Sequence, residues 1–304
     1  MLKERIHRIK RDIIKKYKSK FDVDYEQTCI LPDKMYIKRK YYRRMGKKLN
    51  LAHPTTYSEK IQWLKLYDRR PEYTTMVDKN LAKDYVAKII GEEYIIPTLG
   101  VWDKFDDIDF DKLPNQFVLK CTHDSGGLVI CKDKRTLNIS SAKEKIERSL
   151  KCNYFLHGRE WPYKNVKPRI IAEKYVVDKN GELNDYKFFC FDGIVMALFV
   201  ATDRPFDTRF DFFDSSFNHL PIVNGHPNAD KPIEVPENFD EMKAIAEKLS
   251  IGIPHVRIDL YNVDSKIYFG EMTFSHYCGM TPFEPEEWDK KFGEWINLPS
   301  KRRR

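Results

Sequence analysis

Two stretches near the end of the chain, Val256-Arg-Ile-Asp-Leu-Tyr-Asn-Val263 and Lys266-Ile-Tyr-Phe-Gly-Glu-Met-Thr273, read as the two strands of a hairpin. Strand side chains alternate between faces, so Arg257, Asp259 and Tyr261 share one face while Val256, Ile258 and Leu260 share the other. On the returning strand Phe269, Glu271 and Thr273 alternate with Tyr268, Gly270 and Met272. A three-residue turn, Asp264-Ser265-Lys266, puts Asp259 directly opposite Glu271 and Arg257 opposite Thr273. Opposed residues share a face, with β-carbons about 4.5–5.5 Å apart. Two carboxylates so close repel unless a cation lies between them or one is protonated. Oxygen donors without His or Cys suit Mg²⁺, so Asp259 and Glu271 are expected to be metal ligands. The plainer alternative is a pair of solvated carboxylates on an edge hairpin, but the flanking residues are apolar and aromatic.

Working outward, residues 186–191 and 194–201 read as strands, with Asp192-Gly193 between them as a two-residue hairpin turn. Phe117–Cys121 and Leu128–Cys131 flank the loop His123-Asp-Ser-Gly-Gly127, and residues 170–177 form a further strand. Helices are expected over 141–150, over 239–249, and from Asp78 to Ile90, the last ended by Gly91. Ser58 with Gln62, followed by Ile61, Leu64 and Leu66, predicts a capped helix. Residues 97–117 read as a loop-rich acidic stretch. Strands that come as hairpins with helices between them argue α+β rather than a parallel doubly wound sheet.

Two further elements carry chemistry. Lys120 on a strand beside the Gly-bearing loop can offer a point charge and backbone N–H groups to phosphates; a tight turn with a solvated Lys reads equally well. This is not a Walker A loop, which needs Gly-Lys-Ser/Thr at a helix start. Glu173 and Lys174 interrupt an apolar strand, and burying such groups alone is costly. An edge strand offering its backbone to a purine, with Glu173 near a ribose, explains them; so does a structural ion pair. His123 and His276 flank these elements, and a lone His is more often structural than catalytic.

The chain has 304 residues, with 54 Lys+Arg against 46 Asp+Glu and a net charge of +8. Residues 1–48 hold 17 Lys/Arg and 6 Asp/Glu, residues 301–304 add four positive charges, and 49–300 carry a net −7. A basic arm thus sits on an acidic body. Leu2, Ile6, Ile9, Ile13, Ile14, Tyr17 and Phe21 form one helical stripe with Lys and Arg around it. That helix either packs on the body or lies on anionic lipid. A second basic cluster, Lys38 to Lys48, includes Tyr41 and Tyr42, which could stack bases. No sequence-reading module accompanies it, so nucleic acid is not the expected partner. The longest apolar run, residues 194–201, is too short to span a bilayer, and no secretory leader is evident. Six cysteines without a C-x-x-C pair read as reduced thiols of a cytoplasmic protein.

In this order, Tyr57-Ser-Glu-Lys-Ile-Gln-Trp-Leu-Lys-Leu-Tyr-Asp68, Asp78-Lys79, Tyr94-Ile-Ile-Pro97, residues 117–127, 167–175 and 185–191, Arg257-Ile-Asp259 and residues 269–274 resemble the ATP-grasp superfamily. They are most similar to its TupA-like branch, named for teichuronopeptide biosynthesis. The resemblance implies two α+β lobes clasping ATP, about 76–170 and 171–300, within a domain over 54–304, preceded by a basic helical region over 1–53. It implies phosphate contact by Lys120, with Ser125, Gly126 and Gly127 folding over. Glu173, Lys174, Tyr175 and Val176 would form the adenine hinge, and Asp185 would contact the ribose. Lys187 would lie near the phosphates, Asp259 and Glu271 would hold Mg²⁺, and Arg257 would steady the transferred phosphoryl group. Thr273 stands where the family's third metal ligand is Asn. A Rossmann-like substrate domain common in the superfamily is replaced by the short basic region.

The expected activity is carboxylate–amine ligation through an acyl phosphate. Its substrates would be a uronic acid or acidic peptide of a surface polysaccharide and an amino acid or other amine. Such a protein would be cytoplasmic, with peripheral membrane contact through the basic helix. An ATP-grasp kinase acting on a hydroxyl is one alternative. A glycosyltransferase using Asp109-Phe-Asp111 as a D-x-D motif is another, although that motif lies in an acidic loop before Pro114.

Overall fold

The computed structural model describes residues 30–179, 183–203 and 207–300. The apolar stripe of residues 2–21, Cys29 and the last four residues lie outside the described residues.

The second basic cluster forms helix α1 (Asp33–Met45), which Gly46 ends in the left-handed conformation. Its inner face buries Tyr36, Ile37 and Tyr41 against Leu49, Leu51, Trp63 and Met280. Tyr41 is therefore a core residue, its hydroxyl 3.0 Å from Ser58 Oγ, and not a stacking platform. Helix α2 (Tyr57–Tyr67) starts two residues earlier than a cap at Ser58 implies. Thr56 is its cap, with Glu59 completing a capping box. Ser58 and Gln62 serve tertiary contacts instead: Ser58 donates to Asp289, and Gln62 to the carbonyls of Cys278 and Gly279. The helix expected from Asp78 to Ile90 is α4 (Leu81–Ile90), and a separate short helix, α3 (Glu72–Val77), precedes it. Asp78 sits between them and accepts from the backbone N–H groups of Asn80 and Leu81.

Two antiparallel sheets follow. The first contains β1 (Thr98–Trp102), β2 (Phe117–Cys121), β3 (Leu128–Cys131) and β4 (Ile170–Lys174), in the order β1-β4-β2-β3. β1 falls within the stretch read as loop. Helix α5 (Ile139–Leu150) covers one face of this sheet through Ala142 and Ile146. The second sheet contains β5 (Asn184–Phe191), β6 (Ile194–Thr202), β7 (Arg209–Asp214), β8 (His219–Leu220), β9 (Val256–Val263) and β10 (Lys266–Thr273). Its order is β10-β9-β5-β6-β7-β8. Helix α7 (Phe239–Ser250) buries Phe239, Met242, Ile245 and Leu249 on one face. Helix α8 (Glu287–Trp295) packs with Tyr57 and Ile61 of α2 over the other. A short helix α6 (Tyr154–Gly158) lies between α5 and β4.

The β9–β10 hairpin departs from the expected geometry in two ways that cancel. Its turn has two residues, Asp264 and Ser265, both at positive φ, and Lys266 already pairs with Val263. That register alone would set Gly270 opposite Asp259 and turn Glu271 to the far face. A bulge between Phe269 and Glu271 adds the missing residue, so Glu271 pairs with Asp259 and Thr273 with Arg257. The bulge also corrects the expected face for Phe269. It packs in the core with Ile267 and Met272, not beside Glu271.

Candidate active site

Register brings the charged residues of three strands together. Lys187 on β5 pairs with Asp259 on β9, which pairs with Glu271 on β10. Arg257 grips Asp259 with two hydrogen bonds, Nε to Oδ1 and Nη2 to Oδ2, both at 2.7 Å. The same Nη2 reaches Glu271 Oε1 at 3.2 Å and Thr273 Oγ1 at 3.1 Å. Lys187 Nζ contacts Asp259 Oδ2 and lies 2.7 Å from Asp185 Oδ2. The repulsion between the paired carboxylates is thus relieved by two side-chain cations.

Burial opposes the charge on Glu271, but Lys187, Lys79 and Arg257 outweigh it and hold the carboxyl down at about 2. Burial also works against the Arg257 cation, and Asp259 and Glu271 more than compensate, raising its pKa. Burial pushes Asp259 up, against the pull of Arg257 and Lys187.

Behind Arg257 lies a chain of hydrogen bonds. Asn224 donates its amide N–H groups to the carbonyls of Thr281 and Pro282, at 3.1 and 2.9 Å. Its Oδ1 therefore faces His276 Nε2, 2.9 Å away. An acceptor there fixes the proton on Nε2 and leaves Nδ1 to accept from Arg257 Nη1 at 2.6 Å. Burial, then Arg257 and Lys187, hold His276 well below its ordinary pKa, so it stays neutral. His276 thus orients Arg257. The lone-histidine pattern gave no sign of this, because Asn224 is distant in sequence. His123 is structural: its Nε2 faces the carbonyls of Ser149 and Cys152.

The first sheet carries a second charged group. Lys120 and Glu173 lie on the same face of neighbouring strands, where Glu173 pairs with Val118. Glu173 is 5% exposed and ion-paired to Lys120 Nζ at 2.5 Å and Lys83 Nζ at 2.6 Å. Burial opposes its charge, but the two lysines lower its pKa. Lys83, one turn into the helical pattern after Asp78-Lys79, is the residue the sequence reading missed. Glu173 is engaged by lysines in this structure, while Lys174 is exposed and Tyr175 and Val176 are half-buried. Asp185 is likewise buried beside Lys187 and not displayed at an edge.

In the 123–127 loop, Gly127 N–H donates to Asp124 Oδ1 at 3.1 Å, so this amide is not free for a phosphate. A β-carbon at Gly127 would lie 2.4 Å from Cys121 Sγ, a close approach that requires glycine. Gly126 meets only Asp124, at 3.6 Å, and Ser125 Oγ reaches Tyr154 OH at 3.3 Å. Lys79 Nζ binds the Asp124 carbonyl and ties the loop to the start of α4. Lys79, Asp124 and Ser125 share a cavity of about 400 Å³ with Arg257, Glu271 and Thr273. Lys120 and Glu173 lie outside its lining.

Among the described residues no group of three or more His, Cys, Asp and Glu is placed to hold a metal. The available donors are oxygens only. Glu271 Oε1 is taken by Arg257 and Thr273, whereas Oε2 accepts no hydrogen bond from the described residues, and the side chain, 37% exposed, lines the cavity. This hard, one-sided donor set fits a Mg²⁺ that keeps several waters. The Asp109-Phe-Asp111 motif lies outside the lining of this cavity. Asp109 caps a short turn, accepting from Asp111 N–H and pairing with Lys112.

Residues 59–297 match the TupA-like ATPgrasp family, well over half the chain. The chain belongs to that family. The two-sheet α+β architecture described above is accordingly an ATP-grasp fold. No curated protein matches the chain. Solved structures similar to this family member are remote. ATP-grasp ligase PsnB, solved with a minimal precursor, Mg and ADP, is 10% identical with a TM-score of 0.40, over 72% of this chain and 58% of PsnB. D-cycloserine synthetase DcsG is 16% identical with a TM-score of 0.40, over 73% and 69%. D-alanine–D-alanine ligase from Bacillus anthracis, solved with ATP, is 18% identical with a TM-score of 0.40, over 66% and 55%. This chain thus spans less than two thirds of PsnB and of the Bacillus anthracis ligase. Among the described residues no helix is long and apolar enough to cross a membrane.

Proposed function

We propose that this family member is an ATP- and Mg²⁺-dependent carboxylate–amine ligase acting in surface-polysaccharide biosynthesis. The observation that carries the reading is Arg257, buried against Asp259 and Glu271 at the wall of the cavity, with Lys187 behind it on Asp259. Such fixed cations stabilise charge that develops on phosphoryl oxygens without reorganising during reaction. Glu271 and Thr273, with Asp259 behind them, would hold Mg²⁺, which when bound would neutralise phosphate charge. Lys120, Lys83 and the Ser125-Gly126-Gly127 loop would bind ATP on the side of the first sheet. Glu173, Lys174, Tyr175 and Val176 would meet adenine, and Asp185 would set Lys187.

In the first step a substrate carboxylate oxygen bonds to the γ-phosphorus as the bond to the ADP oxygen breaks, giving an acyl phosphate. Arg257 holds the transferred group. An amine nitrogen then attacks the acyl carbon, phosphate leaves, and the amine releases a proton to solvent. No side-chain nucleophile is needed. The acceptor would be a uronic acid or acidic peptide, and the amine an amino acid. Contact with an anionic membrane would belong to the basic N-terminal residues.

The test is ADP release with Mg²⁺·ATP, mixed uronates or acidic peptides, and amino acids. Glu271→Gln should reduce turnover by about a hundredfold or more, the scale of losing one transition-state electrostatic contact. Full activity in that variant, or no acceptor-dependent ADP from wild-type protein, would overturn the reading. A phosphorylated hydroxyl product would favour the kinase alternative.

A further inference from the structure

We infer that Glu160 is the amine-receiving residue of this site: its carboxylate binds the substrate ammonium in the cavity and takes the proton that the nitrogen must lose. This rests on the ligase reading for the reaction, though not for the binding. Glu160 is 3% exposed and lines the same cavity as Arg257, Glu271 and Thr273. Among the described residues, the only hydrogen bond to its side chain runs from Cys278 Sγ to Oε1, at 3.0 Å, and it has no ion pair. Oε2 accepts nothing from these residues, yet it is not sealed from solvent. Buried carboxylates are ordinarily paired, because burying the charge alone is costly. A thiol is only a weak donor. The missing partner is therefore a cation that arrives with a ligand.

The cations nearby do not fill that place. Lys65 and Lys40 lie in the same region, close enough that Glu160 and Lys40 act in opposite senses on Lys65. Lys65 donates to the carbonyls of Gly158 and Cys278, and Lys40 to that of His157. The other acids of the lining are already engaged. Asp124 accepts from Ser149 and the Gly127 N–H, and Glu271 from Arg257 and Thr273.

The wall is built to hold Glu160 in place. Arg159 ends α6 in the left-handed conformation, and Glu160 follows it directly. A β-carbon at Gly158 would lie 2.7 Å from Cys278 Sγ and 2.9 Å from Glu160 Oε1, so glycine is needed to admit the thiol–carboxylate contact. Tyr277 and Cys278 both have positive φ, a sharp turn that brings the thiol back to Glu160. Tyr154 and Tyr163 stand on the same wall, with rings 4.8 Å apart edge to face. Burial raises both hydroxyls, and Glu160 and Glu271 each add to the shift, so the two rings lie within electrostatic reach of both carboxylates. Aromatic faces attract ammonium groups. A carboxylate beside two such rings suits an amine.

The chemistry follows. An ammonium has no lone pair to attack with. One proton passes to Glu160 Oε2 and on to solvent, and the freed lone pair forms the C–N bond. The acyl C–O bond to phosphate breaks, and the departing phosphate carries off the second proton.

The test is a ligand-observed NMR titration of protein saturated with AMPPNP and Mg²⁺. The probes are alaninamide, largely an ammonium at neutral pH, and lactamide, which carries an uncharged hydroxyl in its place. Wild-type protein should bind alaninamide about tenfold or more tighter, the scale of one charge-assisted contact. Glu160→Gln should erase most of that preference. Glu144→Gln, an exposed acid of α5 outside the cavity lining, should keep it. Should Glu160→Gln fail to fold, Glu160→Asp keeps a charge beside Lys65 and Lys40 but withdraws it by one methylene, and the preference should fall severalfold. Equal binding of the two probes by wild-type protein, or a preference that survives in whichever variant folds, would overturn the inference. Turnover gives a second readout. With amino acids, Glu160→Gln should lower kcat by about a hundredfold, the scale of one general base, with little change in KM for ATP. Hydroxylamine is uncharged at neutral pH and needs no proton removed before it attacks, so hydroxamate formation should match wild type. Equal losses with both nucleophiles would mean a structural role and overturn the inference. Glu160-dependent alaninamide binding without ADP formation defeats the ligase reading alone. Amino-acid-dependent ADP formation indifferent to Glu160 defeats this inference alone.

Discussion

Arg257 is the residue on which the site turns, since it contacts Asp259, Glu271, Thr273 and His276 at once. Its partners differ in what their loss would do. Asp259 is 1% exposed and sits between Arg257 and Lys187. Asp259→Asn removes the carboxylate that these two buried cations share, leaving Arg257 to Glu271 and Lys187 to Asp185, so it should cost about 3–5 kcal/mol of stability as well as activity. Glu271 reaches the cavity, so Glu271→Gln should lose turnover with a smaller loss of stability. Denaturant titration beside ADP-release assays distinguishes the two, and equal stability losses would contradict the difference in burial. Asn224→Ala probes the tautomer lock. It leaves the His276 Nε2 proton unpaired and frees the ring to turn, at about 1–3 kcal/mol of stability. Turnover should fall by about tenfold, equivalent to roughly 1.4 kcal/mol, with little change in KM for ATP. Unchanged kcat would show that Arg257 holds its orientation without His276.

At the scale of elements, the Gly270 bulge decides whether the hairpin has a site at all. A β-carbon at Gly270 would stand 3.0 Å from the Asp259 carbonyl oxygen and 3.2 Å from the Tyr261 ring. Gly270→Ala must push one of these away, an overpacking that costs typically about 1–3 kcal/mol. The nearer of the two belongs to the Asp259 backbone, so turnover should fall by more than the stability loss alone explains. A variant matching wild type in both denaturation midpoint and ADP release would sink this account. The opposition of Asp259 and Glu271 was legible in the sequence, but through an extra turn residue that lies in fact at position 270. The apolar spacing held the true signal. Ile267, Phe269, Met272 and Phe274 are separated by steps of two, three and two, and the step of three marks the bulge. Strict alternation cannot see it, because it assigns Phe269 to the carboxylate face. Local pattern did locate the Asp192-Gly193 turn, whose residues both have positive φ. β1 escaped notice because its pairing with β4 spans about seventy residues of sequence, and strand pairing at that distance leaves no local mark.

Across the whole molecule, the segments that carry the site are held by side chains whose partners lie far away in the chain. Lys65 of α2 is the plainest example. It is 3% exposed, and its Nζ donates to the carbonyls of Gly158 and Cys278, both at 2.9 Å. It thereby joins the end of α6 to the loop after β10, both bordering the cavity. Burial drives its pKa down to about 8, with Cys278 and Glu160 opposing the shift. An unfolded lysine titrates near about 10.4, so between pH 8 and that value the unfolded chain binds more protons than the folded one. Stability from this group therefore rises with pH across that window. Below pH 8 both states are charged, and the desolvation penalty is constant. The full gain is on the order of 3 kcal/mol, taking 1.36 kcal/mol per pKa unit. The neighbouring Cys278 thiol, pushed up to about 12 by burial, stays protonated in the folded protein, while an unfolded thiol ionises at about 8.5, so it lowers stability as pH rises. Wild type and a Lys65 variant share that opposing slope, and their difference isolates Lys65. Lys65→Met removes the titration, so the stability of wild type relative to this variant should climb between pH 8 and pH 10. Denaturant melts at pH 7, 8.5 and 10 measure it, and a difference that stays flat would mean that Lys65 is solvated in the folded protein.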